Sequence, residues 1–176
     1  MKKKSKQEKQ WERKQYSFTP KEYKKLLKSK DKRLTEDQEQ QILCKWIKEK
    51  YPNILYTVDL GGIRLTMGQR VIMKSRAKRG HPDLILQEWF KDKYCGLAIE
   101  FKRTGEKVCK IDGTLRKNEH LQEQLEYLTA LKERYYIAGF VIGIEPAKKV
   151  ISAYLEAGPN SLEIINNFIY PKISLK

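Results

Sequence analysis

Apolar residues recur along the chain in two rhythms, and the switches between them mark out its elements. Ile42, Leu43, Trp46 and Ile47 follow at helical spacing behind Thr35 and an acidic first turn. That pattern predicts a capped helix over about 35–50, stopped by Pro52. Ile54-Leu55-Tyr56-Thr57-Val58 is β-branched and aromatic and reads as a strand, ended by Gly61-Gly62. Gln69 to Lys78 has the make-up of a short basic helix closed by Gly80. Leu84 to Trp89 and Gly96 to Lys102 read as two strands joined by the polar turn Lys91-Asp92-Lys93. Leu121, Leu125, Leu128 and Leu131 line one side of a helix from His120 to Lys132. Tyr136 to Ile144 is expected to be the most buried strand. Pro146 fits the first turn of a last helix that reaches about Leu155 and ends before Gly158-Pro159.

The period-2 rule gives the central pair of strands a chemical meaning. Ala98, Glu100 and Lys102 share one face, and Leu97, Ile99 and Phe101 share the other. With the turn centred near Lys91-Asp92-Lys93, Asp83 pairs with Glu100 or with Lys102, and either register puts all three polar groups on one face. Two carboxylates so close repel and raise a pKa unless a cation lies between them. A hard divalent ion such as Mg²⁺ takes one or two carboxylates plus water and phosphate oxygens. Such an ion polarises a phosphodiester and activates water, while Lys102 can orient that water or neutralise growing charge. The same residues on a solvated hairpin would form only a weak ion pair.

Charge changes the picture further. The chain has 176 residues, enough for one domain, and a formal net charge of +15. Residues 1–33 hold fourteen Lys/Arg against four acids, a net of +10, so the remainder carries +5. We therefore divide the chain into a basic arm (1–33), a domain (34–156) and a C-terminal tail (157–176) without an assigned role. Arg64, Arg70, Lys74, Arg76, Lys78 and Arg79 gather in the segment entering Pro82 and are candidate phosphate contacts. Cys44, Cys95 and Cys109 are odd in number and widely spaced, which argues against a disulfide framework, and with His81 and His120 they make no zinc pattern. No apolar run suits a signal peptide or a membrane span, so a cytoplasmic protein is expected.

Two more carboxylates and two amides complete the candidates. Glu39 lies on the inward stripe of the first helix, three before Ile42, and Glu36 is its alternative. A glutamate at a helix start also serves simply to complement the dipole. Gln124 and Gln122 sit among the leucines of the later helix.

The order helix with Glu, strand, Gly-Gly-x-Arg, basic segment, Gly-His-Pro-Asp-Leu, Ile-Glu-Phe-Lys and Gln helix resembles the PD-(D/E)XK nuclease superfamily. Within it, residues 35–155 are most similar to the virus-type replication–repair nuclease (VRR-NUC) family. The resemblance implies an α/β, restriction-endonuclease-like core with a mixed central β-sheet flanked by helices, and a Mg²⁺ or Mn²⁺ site. It implies Asp83 and Glu100 as metal carboxylates, the Phe101 carbonyl as a further ligand, and Lys102 as catalytic lysine. It places the helix glutamate on Glu39, or else Glu36, and the motif glutamine on Gln124, or else Gln122, positioning the scissile strand. The implied activity is metal-dependent hydrolysis of DNA, extending to branched or junction substrates such as stand-alone members of viral origin cut, with a homodimer suiting a symmetric junction. The alternative is a catalytically inactive nucleic-acid-binding module that keeps the fold. Two features depart from the family: His81 stands before Pro82-Asp83, and Glu133-Arg134-Tyr135-Tyr136 replaces the glycine expected after the Gln helix.

Overall fold

The computed structural model of the chain describes residues 34–59, 66–67, 79–110 and 114–172. The arm 1–33 and the expected basic helix over 69–78 lie outside them. Among the described residues the order is α1 (Glu36–Lys50), β1 (Tyr56–Val58), β2 (Leu84–Leu86), β3 (Gly96–Lys102), α2 (Glu119–Lys132), β4 (Tyr136–Ile142), α3 (Ile144–Glu156), α4 (Ser161–Phe168) and β5 (Ile169–Tyr170). The strands form one mixed sheet in the order β1-β2-β3-β4-β5. Only β3 and β4 run parallel, because α2 carries the chain across between them.

Local chemistry explains the helix starts. Gln38 N donates to Thr35 Oγ1 at 3.3 Å and Thr35 N donates to Gln38 Oε1 at 3.0 Å, so a capping box opens α1. Asn118 caps α2, its Oδ1 accepting from Leu121 N at 3.2 Å.

Two apolar layers hold the sheet. Leu43 and Ile47 of α1 pack with Leu97, Ile99 and Phe101 of β3 and with Val150, Ile151 and Tyr154 of α3. On the other face Ala98, Ala138 and Phe140 pack with Leu121 and Leu128 of α2 and with Val108. A mixed sheet flanked by helices is the architecture the sequence led us to expect.

Three expectations need correction. First, β3 is the strand buried at all seven positions, whereas β4 is open at both ends. Glu100 and Lys102 make β3 look half-solvated in sequence, yet α2 covers that face. Second, β1 and β2 are shorter than their apolar runs: Leu55 and Trp89 are exposed, and the chain leaves the ladder after Leu86. Phe90 and Tyr94 then close the Lys91-Asp92-Lys93 turn as an isolated bridge. Third, α3 is not the last helix. The segment after Glu156 adds α4 and β5, and its Ile165 and Ile169 are buried in the core beside α3.

Candidate active site

The antiparallel register of β2 and β3 pairs Leu84 with Ile99. One step further along, Asp83 stands opposite Glu100, on the face that carries Ala98 and Lys102. Asp83 Oδ2 accepts from the Phe101 backbone N–H at 2.8 Å. Lys102 Nζ donates to Glu100 Oε1 at 2.8 Å, both side chains being almost wholly buried. From α2, Gln124 Nε2 donates to the same Oε1. Gln124 is buried and Gln122 is exposed, so the site takes the former. The Gln124 amide is thus held by Glu100, with His120 Nε2 3.0 Å from its nitrogen, and it orients that carboxylate.

Glu100 has one oxygen with two donors and one with none. Its Oε2 is buried without a hydrogen-bond donor, as is Gln124 Oε1 without any partner. The Asp83 carboxyl lies within hydrogen-bonding reach of Glu100. Burial, and then the Asp83 charge, push the Glu100 carboxyl up to about 8. Burial also raises Asp83, although Lys102 and the Phe101 N–H pull the other way. Burial works against the charge on Lys102, but Glu100, Glu36 and Asp83 outweigh it, and its pKa is raised. The ammonium therefore stays protonated. A buried carboxyl beside a half-buried one, with one oxygen lacking a donor, needs a proton or a cation between them. All donors here are oxygens, so the pair fits a hard divalent ion.

The two candidate helix glutamates part company. Glu39 is buried and its Oε2 accepts from the Thr104 N–H at 2.8 Å, which pins the chain just beyond β3. Glu36 instead sits in the field of Lys102 and Asp83, and burial raises its pKa. Among the described residues no group of three or more His, Cys, Asp or Glu is placed to hold a metal. The structure thus brings together Asp83 and Glu100, with Glu36 as the electrostatic neighbour and Glu39 bonded to the backbone.

Of the expected phosphate contacts, Arg64, Arg70, Lys74, Arg76 and Lys78 lie outside the described residues. Arg79 is exposed and paired with Glu123 at 2.9 Å. His81 packs edge-on against Tyr127, 5.5 Å between ring centroids, and Tyr135 takes a left-handed φ of 61° where the family glycine would stand. Sequence reasoning missed a different set of cations. Lys107, Lys110, Arg116 and Lys117 line an open cleft of about 560 Å³ that also includes Lys102 and Glu106. Their signal was present as scattered basic residues between β3 and α2, a stretch the sequence marks only as a loop.

The structure is similar to the solved structure of a VRR_NUC domain protein, with a TM-score of 0.51 and 25% sequence identity over 72% of this chain and 93% of that one. No family model matches the chain. No curated protein matches it either.

Proposed function

We propose that this chain, whose mixed α/β fold is similar to that of a VRR_NUC domain protein, is a VRR-NUC-type, metal-dependent deoxyribonuclease hydrolysing phosphodiester bonds. One observation carries the reading: buried Glu100 beside half-buried Asp83, with Glu100 Oε2 lacking a donor. Asp83, Glu100 and the Phe101 carbonyl would hold Mg²⁺ or Mn²⁺. Such an ion, when bound, polarises the phosphodiester and lowers the pKa of an attacking water.

The chain's own residues do the rest. Phe101 N–H fixes one Asp83 oxygen, and Lys102 with Gln124 fixes one Glu100 oxygen, so the remaining carboxylate oxygens are presented in a set orientation. Lys102, kept protonated, supplies positive charge to a phosphoryl oxygen or a hydrogen bond to water. The reading extends to branched or junction DNA, where a homodimer would offer two equivalent sites. Cys44, Cys95 and Cys109 form no disulfide, which suits a reducing compartment such as the cytoplasm. No helix among the described residues is long and apolar enough to cross a membrane.

The test uses the full chain, a labelled four-way junction and its matched linear duplex, with and without Mg²⁺ or Mn²⁺. We expect cutting that requires the ion and falls roughly 100-fold or more in Glu100→Gln. Cutting of the junction alone would establish structure selectivity. Undiminished cutting by Glu100→Gln would remove the assigned site, and salt-sensitive binding without any cutting would favour the inactive binding module.

A further inference from the structure

Among the described residues, the cleft beside Lys102 carries a positive charge that is left unbalanced. Lys107, Lys110, Arg116 and Lys117 are exposed, and none has a carboxylate partner among the described residues. Glu106, the one acid of the lining, lies 3.8 Å from the Arg103 guanidinium. Lys102 is engaged by Glu100. The backbone that carries two of these four cations is paired. Lys110 N donates to Thr114 O at 2.8 Å and Arg116 N donates to Val108 O at 3.0 Å, beside an antiparallel Cys109–Leu115 bridge. Val108 anchors it in the core against α2.

We propose that this cleft is a track for the phosphate backbone of duplex DNA, read without regard to sequence, with Lys107, Lys110, Arg116 and Lys117 as its contacts. The inference rests on the nuclease reading for the identity of the polyanion. Lys102 belongs both to the cleft and to the Asp83–Glu100 cluster, so a strand lying in the track has a phosphate beside the carboxylates. The lining contains no Phe, Tyr or Trp. Single-strand channels depend on aromatic side chains for base stacking, whereas backbone contacts fix position and carry no sequence information. A cleft of cations in which His120 is the one aromatic ring among the described lining residues therefore suits the outside of a double helix.

The experiment measures binding of fluorescently labelled duplexes to the full chain in EDTA, where metal-dependent cutting is off, as a function of salt. A variant with Lys107, Lys110, Arg116 and Lys117 all changed to Gln is compared with one neutralised at Lys45, Lys48, Lys91 and Lys149, exposed cations on other surfaces. Circular dichroism checks that both remain folded. The cleft variant should lose at least about tenfold in affinity and lower the slope of log K against log salt by roughly 2–4, at about 0.9 per phosphate contact. AT-rich and GC-rich duplexes should suffer alike, and the reference variant should shift the slope by less than about 1. Equal slopes for the two variants would overturn the track. So would a larger effect on an oligo-dT single strand, or on one duplex sequence only. Binding that depends on the cleft in a protein that never cuts would leave the track standing and remove the nuclease reading instead.

Discussion

Glu100 sits under opposed demands. One oxygen is engaged by Lys102 and Gln124, and the other is buried without a donor, while Asp83 stands beside the carboxyl. A consequence for pH follows from the direction of its shift. In the unfolded chain this carboxyl ionises near 4.5, and in the folded chain it is held protonated up to about 8. Between those values the folded state binds the extra proton, so the ion-free protein loses stability as pH rises through that window. A divalent ion favours the ionised pair and reverses the trend. We therefore expect the melting temperature in EDTA to fall from pH 5 to pH 8, and Mg²⁺ or Mn²⁺ to raise it strongly at pH 8 but little at pH 5. A flat profile in EDTA, checked by thermal unfolding across the range, would mean that Glu100 ionises normally. Both effects should shrink in Glu100→Gln, because the most strongly shifted carboxyl is gone while the raised Asp83 and Glu36 carboxyls remain.

At the scale of elements, the site depends on how α2 seats against the end of β3. Its buried positions are Leu121, Gln124 and Leu128, so the amide lies inside the stripe that the leucines draw. The loop entering Asp83 is docked on the same helix through Gly80. Its φ is +79°, and a Cβ there would lie 2.4 Å from the Glu123 carbonyl oxygen. Gly80→Ala is thus strained in its backbone, by roughly 1–3 kcal/mol, and also collides with helix backbone that has no room to yield. The expected result is a drop of roughly 3–10 °C in melting temperature. Because Asp83 follows three residues later, ion-induced stabilisation should weaken as well. Unchanged melting and unchanged response to Mg²⁺ would show that the loop seats without Gly80.

For the whole molecule, charge and core belong to different parts of the chain. Both apolar layers are made by residues from Leu43 onward, whereas two-thirds of the net charge, +10 of +15, falls in residues 1–33. A chain beginning at Thr35 keeps every residue of the cores and of the Asp83–Glu100 cluster. It should melt within about 3 °C of the full chain, a change of no more than roughly 1 kcal/mol. It should also keep ion-dependent cutting while losing affinity for DNA most at low salt, since long-range attraction is what the arm adds. Unfolding of the shortened chain would show that residues before Thr35 stabilise the domain.

Much of this was legible in the residues themselves. Period-2 alternation places Glu100 and Lys102 on one face, and the Lys91-Asp92-Lys93 turn sets the register that brings Asp83 to the same face. Thr35 with Gln38, the bounds of β3, and the Lys91-Asp92-Lys93 turn are likewise set by neighbours in sequence. Depth was not legible. Burial of Glu100 and Lys102 arises when α2 lies across β3, and the choice of Gln124 over Gln122 depends on how that helix is rotated. The bonding of Glu39 to Thr104, the packing of α4 and β5 beside α3, and the gathering of Lys107, Lys110, Arg116 and Lys117 into one cleft all join residues distant from their partners or scattered along a loop. Hydrophobic pattern specifies which face turns inward, but not which polar group meets another there; that is decided when the layers close.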